Sequence, residues 1–290
     1  MTVPIQIDVC ICTFRRDSVT EAIRSVAAQV LPKDVTLRLV VADNDDAPSA
    51  KGRVLHSGAE MPIIYVHAPA RNISIARNAC LEAAQGEFVA FLDDDETAPP
   101  DWIATLWSCL QDSGADAVFG PARAVYPSDA PDWITRNDFL SNLPQQRGGA
   151  VETGHTCNVL MRKPELRFRE DLGRSGGEDT DFFFRLGRKG FRFAICEQAI
   201  VHEVVDPRRL RLRWLADRRF AEGRHYGATA PHGRMSLFVG SGAKAVYSAL
   251  RTLPHLTNPT GLAFWGLRSV FHAGVCFGAL AGASGRKAYG

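Results

Sequence analysis

The chain has 290 residues, of which 46% are hydrophobic and 23% are charged, a balance typical of one large globular domain with or without a small appendage. The net charge is only +2, but residues 207–290 hold 13 basic and 2 acidic residues, whereas residues 1–206 hold 21 basic and 30 acidic ones. A tail with a net charge of +11 and no recognisable nucleic-acid-binding motif favours an anionic membrane surface as partner and argues against nucleic acid.

Seven cysteines occur at irregular spacings without a Cys-x-x-Cys pair, which argues against a disulfide framework, a zinc site and a thioredoxin-type centre. Buried thiols in a reducing compartment are the simpler interpretation. The N-terminal segment has no basic stretch before its apolar run and contains Asp8, so we do not expect a secretory signal peptide. These features predict a cytoplasmic protein.

The first half of the chain alternates short β-rich runs with helical patterns. The runs predict strands at Ile7–Phe14, Leu37–Asp43, Ile63–His67, Phe88–Asp93 and Ala117–Ala122. The helical patterns cover Ser18–Gln29, which opens with a Ser18-x-x-Glu21 capping box, Ser74–Gln85 and Pro100–Asp112. This alternation predicts an α/β fold with a mostly parallel sheet covered by helices on both faces, whose ligands bind beyond the carboxyl ends of the strands.

The second half begins with an irregular stretch, residues 126–151, and is less regular throughout. A strand at Thr156–Arg162 leads into a glycine-rich loop at Gly173–Gly177, followed by a helix at Asp179–Lys189 and a strand or hairpin at Phe191–Val201. The basic tail begins near Pro207. We therefore predict a globular domain over 1–206, with a nucleotide-binding half at 1–122 and a second half at 123–206, and a helical tail over 207–290.

Four consecutive acids, Asp93-Asp94-Asp95-Glu96, follow the apolar run of the fourth predicted strand. Hard divalent cations such as Mg²⁺ and Mn²⁺ prefer carboxylate oxygens and can also hold phosphate oxygens. A solvated acidic turn is the alternative for an isolated run of this kind. Its position at the end of a buried strand, beside Asp43 at the end of another, favours a metal site.

A second acidic group, Gly-Gly-Glu-Asp-Thr-Asp at 176–181, opens a predicted helix. Acidic residues at a helix N-terminus are partly explained by capping and by the helix dipole. The functional alternative is a general base, because an acceptor hydroxyl is a poor nucleophile until a carboxylate takes its proton.

Two further residues stay ambiguous when taken alone. His202 follows a predicted strand, where a histidine is more often structural, although a neutral imidazole there could complete a metal shell. Arg77 could hold a phosphate or could be an ordinary surface cation on its helix.

Together these segments resemble the family 2 glycosyltransferases with the GT-A fold, from about Ile7 to about Gly227. The matching segments are Cys-Ile-Cys-Thr-Phe-Arg-Arg (10–16), Val-Val-Ala-Asp-Asn (40–44), Ile-Ala-Arg-Asn-Ala (75–79), Gly-Glu-Phe-Val-Ala-Phe-Leu-Asp-Asp-Asp-Glu (86–96) and Gly-Gly-Glu-Asp-Thr-Asp-Phe (176–182). Each is short, but their order and spacing are specific. The tail and the stretch from Gly120-Pro121 to Trp133 further resemble bacterial exopolysaccharide transferases of the succinoglycan type.

The resemblance implies a role for each matching position. Asp179 corresponds to the general base of an inverting transferase, Asp95 and His202 to ligands of Mn²⁺ or Mg²⁺, and Gly177 and Glu178 to the vicinity of the sugars. The nucleotide-sugar would be bound by Thr13, Arg15, Asp43, Arg77, Asp93 and Asp94.

The same resemblance suggests partners and a location. It implies a UDP-hexose donor, a lipid-linked or oligosaccharide acceptor, and a peripheral location on the cytoplasmic face of the inner membrane. Processive members usually carry a Gln/Arg-x-x-Arg-Trp signature, and here Leu210 precedes Arg213-Trp214. This departure predicts the addition of a single sugar.

The tail contains one predominantly apolar stretch, Gly261–Ala283, which is long enough to span a bilayer. Arg268 and His272 lie near its centre, and a buried arginine on a lipid-facing helix is costly. We therefore expect an interfacial, membrane-associating helix rather than a span. A helical pair packed on the globular domain is the remaining interpretation.

Three other functions fit the sequence less well than glycosyl transfer does. A nucleotidyltransferase would show a glycine-rich basic loop after the first strand, which Thr13-Phe14-Arg15-Arg16 does not provide. An NAD-dependent oxidoreductase is disfavoured because the only Gly-x-Gly-x-x-Ala match, residues 240–245, lies in the basic tail without the required acid. A non-catalytic carbohydrate- or membrane-binding protein would have no need of Asp93, Asp95 and Asp179 together.

Overall fold

A computed structural model describes residues 4–146, 148–230 and 233–281. The described residues form ten strands: β1 (Ile5–Thr13), β2 (Val35–Asp43), β3 (Ile63–His67), β4 (Phe88–Leu92), β5 (Glu96–Thr97), β6 (Ala117–Phe119), β7 (Ala122–Val125), β8 (Asn158–Arg162), β9 (Phe193–Ile195) and β10 (Val201–Val204). Their α-helices are α1 (Val19–Ala27), α2 (Lys51–Leu55), α3 (Ile73–Ala83), α4 (Trp102–Ser113), α5 (Asp132–Thr135), α6 (Glu178–Arg188), α7 (Leu212–Thr229), α8 (Arg234–Leu250) and α9 (Pro259–Ala281). Short 3₁₀ turns at Pro207–Arg209 and Leu253–His255 flank the tail helices.

Seven strands form the central sheet in the order β3-β2-β1-β4-β8-β6-β9. All pair in parallel except β8, which runs antiparallel to both of its neighbours. A second sheet of three short strands has the order β5-β10-β7. The predicted α/β architecture with a mostly parallel sheet is therefore confirmed.

Apolar residues cover both faces of the central sheet, because alternate residues of a strand point to opposite sides. In β1, Ile7, Val9 and Ile11 join the core cluster that contains α1 and α4, whereas Cys10 joins the cluster that contains α3 and α6. Burial on both sides explains why β1 and β4 are almost continuously apolar in sequence. The seven cysteines are free thiols, in agreement with the absence of a disulfide framework.

The predicted strand at Ala117–Ala122 is divided in the structure. A Cβ atom at Gly120 would lie 2.2 Å from the carbonyl oxygen of Ala199, so only glycine permits this approach, and Pro121 lacks an N–H group for pairing. The chain accordingly leaves the central sheet after β6 and enters the small sheet as β7. The region predicted as a strand or hairpin at Phe191–Val201 is divided in the same way into β9 and the start of β10.

Two helix starts differ from the sequence patterns. The predicted capping box at Ser18 is wrong: Ser18 itself adopts a helical conformation, and its side chain makes no capping hydrogen bond. For α3, which was predicted to begin at Ser74, the N-cap is Asn72, because the Asn72 carboxamide oxygen accepts hydrogen bonds from the N–H groups of Ser74 and Ile75. This moves the start of α3 to Ile73.

The tail folds as three helices in which α9 packs against both α7 and α8. Glycines on α7 and α9 allow a close crossing: a Cβ at Gly227 would lie 2.2 Å from the carbonyl oxygen of Val275, and one at Gly278 would lie 2.0 Å from that of Arg224. Among the described residues, α9 is the one helix whose length and composition would allow it to cross a membrane, and 33% of its most apolar stretch is buried in the protein. The last two residues of the predicted stretch, 282–283, lie outside the described residues.

Candidate active site

The carboxyl ends of β1, β2 and β4 meet at one edge of the central sheet. Thr13, the last residue of β1, pairs with Asp43, the last of β2, and β4 ends at Leu92 directly before the acidic run. A cavity of about 420 Å³ lies beyond these ends, within the range of small-molecule sites. Its lining includes Thr13, Arg16, Asn44, Arg77, Asp93, Asp94, Asp95, Glu96, Glu178, Glu203, Arg209 and Arg218.

Asp94 is held in place by β1 and by the loop that follows it. Its carboxylate accepts hydrogen bonds from the Thr13 hydroxyl at 2.7 Å and from the Arg16 guanidinium at 3.0 Å. Arg16 also forms an ion pair with Asp95. Burial raises the pKa of Asp94 to about 6, although the charge of Arg16 partly opposes this shift.

Asp93 is half-buried, and the neighbouring acids Asp94 and Glu96 are buried. Burial raises the pKa of Asp93 to about 7; the charge of Arg77 lowers it, and the carboxylates of Asp95, Asp94 and Glu203 raise it again. Burial, together with the charge of Asp93, also raises the pKa of Glu96, whose carboxylate accepts a hydrogen bond from the Asp93 N–H at 3.1 Å. The cluster thus holds more negative charge than its surroundings neutralise, and it favours cations.

The lining of the cavity also contains a buried ion pair that joins α3 to α6. Arg77 and Glu178 are only 8% and 9% exposed at their side chains, and their charged groups lie 2.5 Å apart. The Arg77 guanidinium also lies over the ring of Phe168, at 5.5 Å from its centroid. Arg77 is therefore not a surface cation, and Glu178 is not the N-cap of α6, a position that Gly177 occupies with a φ of 82°.

Asp179, the predicted base, is the second residue of α6. One carboxylate oxygen accepts a hydrogen bond from the Thr180 N–H at 2.7 Å, and the other lies 3.4 Å from Nδ1 of His155. Burial raises the pKa of Asp179, but the hydrogen bond and charge of His155, with the charge of Arg77, outweigh burial and hold that pKa well below its usual value. Its side chain is 20% exposed, so the ionised carboxylate is accessible from solvent.

Two predicted nucleotide ligands, Arg15 and Asp43, do not line the cavity. Asp43 is fully buried, and its carboxylate accepts hydrogen bonds from the N–H groups of Asp45 and Ala50 and from the Tyr65 hydroxyl. Arg15 donates to Asp45 at 2.9 Å and lowers the pKa of Asp45 to about 2. Both residues shape the loop after β2, and their contact with a nucleotide stays a prediction.

The structure does not bring His202 to the acidic cluster. His202 is exposed and pairs with Thr97 and Arg123, whereas the next residue of β10, Glu203, lines the cavity and forms an ion pair with Arg209. Neighbouring strand residues point to opposite faces, so the β10 acid and not the histidine meets Asp95. The metal role of His202 stays a prediction that this geometry does not support.

The sequence patterns missed several cavity residues. Arg16 is adjacent to the predicted Arg15, and Glu203 is adjacent to His202, so strand alternation could have found Glu203. Arg209 and Arg218 belong to the basic tail, yet they line the cavity, and their guanidinium groups lie over the Trp214 ring at 5.7 and 5.5 Å from its centroid. No sequence signal marked His155 as the neighbour of Asp179.

The model of the family described as "Glycosyl transferase family 2" matches residues 8–168 of the chain. The chain belongs to glycosyl transferase family 2. The match contains Thr13, Arg77 and the acids at 93–96 but ends before α6. It shows that the protein is a glycosyltransferase, and the fold described above is the GT-A fold expected for the family.

One relative extends the likeness to nearly the whole chain, the tail included. The succinoglycan biosynthesis protein ExoM of Rhizobium meliloti (strain 1021) is 43% identical over 288 residues, which cover 95% of this chain and 93% of that protein. A glucosyl-dolichyl phosphate glucuronosyltransferase of Haloferax volcanii is 33% identical and covers 68% of this chain and 62% of its own length.

Two solved structures share the fold at low identity. The mannosyltransferase PcManGT of Pyrobaculum calidifontis, in complex with GDP-Man and Mn²⁺, has a TM-score of 0.62 at 20% identity and covers 96% of this chain and 87% of its own. Residues 1–349 of S. aureus TarS have a TM-score of 0.53 at 14% identity, with coverages of 93% and 92%.

Proposed function

We propose that this glycosyltransferase is inverting and divalent-cation-dependent, and that it moves one sugar from a nucleotide-sugar, a UDP-hexose, to an acceptor hydroxyl. The observation that carries the proposal is the arrangement around the cavity. Asp93, Asp94 and Asp95, which follow β4, line this cavity together with Glu178 at the start of α6, whereas Asp179, the next residue of α6, is not among the lining residues. We assign the acids after β4 to the diphosphate and its cation, and the start of α6 to the acceptor, with Asp179, next to the lining residue Glu178, as the base.

The donor set at the end of β4 fits a divalent cation. Asp93, Asp94 and Asp95 offer hard carboxylate oxygens, and the Arg16 guanidinium lies between Asp94 and Asp95 as a cationic substitute. Within the described ranges, however, no three His, Cys, Asp or Glu side chains converge enough to enclose an ion. Asp95, with Asp93, would hold Mn²⁺ or Mg²⁺ once Arg16 moves away. The cation would neutralise negative charge on the departing nucleoside diphosphate.

The protein's own residues supply the remaining steps. Asp179 takes the proton of the acceptor hydroxyl, and its lowered pKa keeps the carboxylate ionised and ready at neutral pH. The hydroxyl then attacks the anomeric carbon from the side opposite the diphosphate, so one displacement inverts the configuration. Arg16, Arg209 and Arg218 line the cavity and provide guanidinium donors for phosphate oxygens. The buried Arg77–Glu178 pair fixes α6 relative to α3.

The acceptor proposal rests on the relatives and on the tail. The Rhizobium relative is named for succinoglycan biosynthesis, and the Haloferax relative for a dolichyl phosphate substrate. We extend these names to a lipid-linked oligosaccharide acceptor in exopolysaccharide synthesis at the cytoplasmic face of a membrane. Leu210, in place of the Gln or Arg of processive members, supports addition of a single sugar.

A donor panel tests the proposal directly. Purified protein is assayed with UDP-, GDP- and dTDP-sugars, with and without Mn²⁺, for donor hydrolysis and for donor-dependent thermal shift. We expect one UDP-hexose to respond, only with the cation, and Asp95→Asn to lose the response while remaining folded. Undiminished Mn²⁺-dependent turnover in Asp95→Asn would refute the metal assignment, and the absence of a response to every donor would refute the proposed reaction.

A further inference from the structure

Helix α8 has one face against the protein and, within the part of the chain that the structure describes, one face without a packing partner. Ser241 and Ser248 are buried, and α9 contacts the same side of the helix. Ser269 donates to the Ala245 carbonyl at 2.9 Å, and the Cys276 thiol contacts the Phe238 carbonyl at 3.4 Å. The spacing of these α8 residues, three to four apart, defines one side of the helix.

The opposite side of α8 carries large apolar residues that are exposed to solvent. We call this set the α8 stripe: Met235, Val239, Val246 and Leu250, exposed at 69%, 61%, 61% and 60%. Their spacing of four, seven and four residues places them along a single line. Leu253 and Leu256, exposed at 59% and 67%, continue the apolar surface into the turn before α9. A contiguous exposed apolar surface of this kind marks an interaction site.

The charges beside the α8 stripe indicate what covers it. Residues 233–281 contain four basic residues and no acidic one. Arg251 and Arg268 both lie over the Trp265 ring, at 4.8 and 5.9 Å from its centroid, and the Tyr247 ring packs edge-on against the same indole at 5.9 Å. Tryptophan, tyrosine and arginine next to an apolar surface are the composition enriched where protein meets the membrane–water interface.

We infer that the α8 stripe lies flat on an anionic lipid bilayer, with its apolar side chains in the boundary between headgroups and acyl chains. A bilayer supplies both complements that the surface needs, apolar chains for the stripe and negative headgroups for the arginines. The close packing of α9 against α7 and α8 makes α9 a support for this surface, whereas the sequence had pointed to α9 itself. The inference rests on the proposed membrane location but on neither the donor nor the chemistry.

Vesicle binding tests the α8 stripe in the full-length protein. Co-sedimentation is measured with vesicles of phosphatidylcholine alone and of phosphatidylcholine with phosphatidylglycerol. The double variant Val239→Glu/Val246→Glu places two acids on the stripe, and we expect its partition onto anionic vesicles to fall by about tenfold or more. The matched control is Val30→Glu/Leu55→Glu, which changes two residues of the catalytic part with exposures of 68% and 50%. The control should bind vesicles as the unmodified protein does.

Other outcomes would overturn the inference. The inference would be wrong if the stripe variant bound vesicles as well as the unmodified protein does. It would also be wrong if only Leu280→Glu, on the exposed side of α9, lost vesicle binding, or if the unmodified protein bound neutral and anionic vesicles equally. Light scattering without lipid tests whether a second copy of the chain covers the surface. If the unmodified protein is a dimer and the stripe variant is a monomer that still binds vesicles, the surface serves self-association. Donor-dependent thermal shift is measured in every variant. If the unmodified protein shows no donor-dependent thermal shift, the proposed function is refuted, but the vesicle result still holds.

Discussion

Replacement of Asp179 by asparagine should separate proton transfer from donor binding. The Thr180 N–H contact at 2.7 Å survives in the amide, and the contact with His155 is long at 3.4 Å and partly exposed. We therefore expect Asp179→Asn to lower the free energy of unfolding by less than about 1 kcal/mol. Loss of the base should reduce transfer by ~10²–10⁴-fold. That reduction corresponds to roughly 3–5 kcal/mol in the activation barrier.

The assay compares two rates and one affinity. Transfer to acceptor and hydrolysis of the donor are followed separately, and donor affinity is measured by thermal shift with Mn²⁺ present. Asp181→Asn is the matched control, because it makes the same isosteric change in the first turn of α6 at a carboxylate that pairs with Arg185. Transfer should fall only in Asp179→Asn, and donor affinity should change little in either variant.

Near-wild-type transfer by Asp179→Asn would remove this residue from the mechanism. Product stereochemistry provides an independent refutation. An α-linked UDP-hexose should give a β-linked product by NMR, and a retained α configuration would overturn the inverting assignment even if Asp179 proved essential.

Three further predictions follow from contacts near the site. Arg77→Met leaves Glu178 buried without its partner and should lower the free energy of unfolding, measured by urea titration, by about 3–5 kcal/mol. The double variant Arg77→Met/Glu178→Leu should recover part of this loss. Equal stability of the single and the double variant would show that the two residues are not coupled. His155→Ala removes a group that lowers the pKa of Asp179, so that pKa should rise, and on acidification transfer should be lost at a higher pH than in the unmodified enzyme. Coincident pH profiles would exclude His155 as a positioning residue. Gly227→Val places a Cβ 2.2 Å from the Val275 carbonyl oxygen and should cost about 1–3 kcal/mol of unfolding free energy. Gly240→Val, where no atom lies within 4 Å, is its control and should melt close to the unmodified protein.

The sheet could be predicted from sequence because its strands have a strong local signal. Residues of β1 and β4 are buried on both faces and therefore form continuous apolar runs, and the acids that follow β4 mark the strand end sharply. The break after Phe119 was not predictable in this way. It depends on the approach of the Ala199 carbonyl to Gly120, a contact between residues about eighty positions apart.

Within the site, the structure brings together predicted residues that lie at strand ends, whereas cavity residues brought from a distance had no signal in the sequence. Thr13, Asp93 and Asp94 follow from strand order and lie together. The residue type of His202 and the family resemblance predict a metal ligand there, but the register of β10 with β5 and β7 decides which side chain faces the cavity. The pairing of Arg77 with Glu178 spans about one hundred residues and has no local signature.

Residues of the tail line the cavity, so the tail and the catalytic domain are not structurally independent. The predicted boundary at residue 206 is a boundary of charge and composition, yet Arg209 and Arg218 beyond it line the cavity. His225 of α7 packs on the loop before α6: a Cβ at Gly176 or Gly177 would lie within 3 Å of its ring or Cβ. The same helix crosses α9, which in turn supports α8. Contacts therefore run without interruption from the α8 stripe to the glycine loop that positions Glu178 and Asp179, so a truncation at 206 would remove cavity arginines together with the membrane surface. Single substitutions on the exposed face of α8 are consequently the cleaner way to separate location from catalysis.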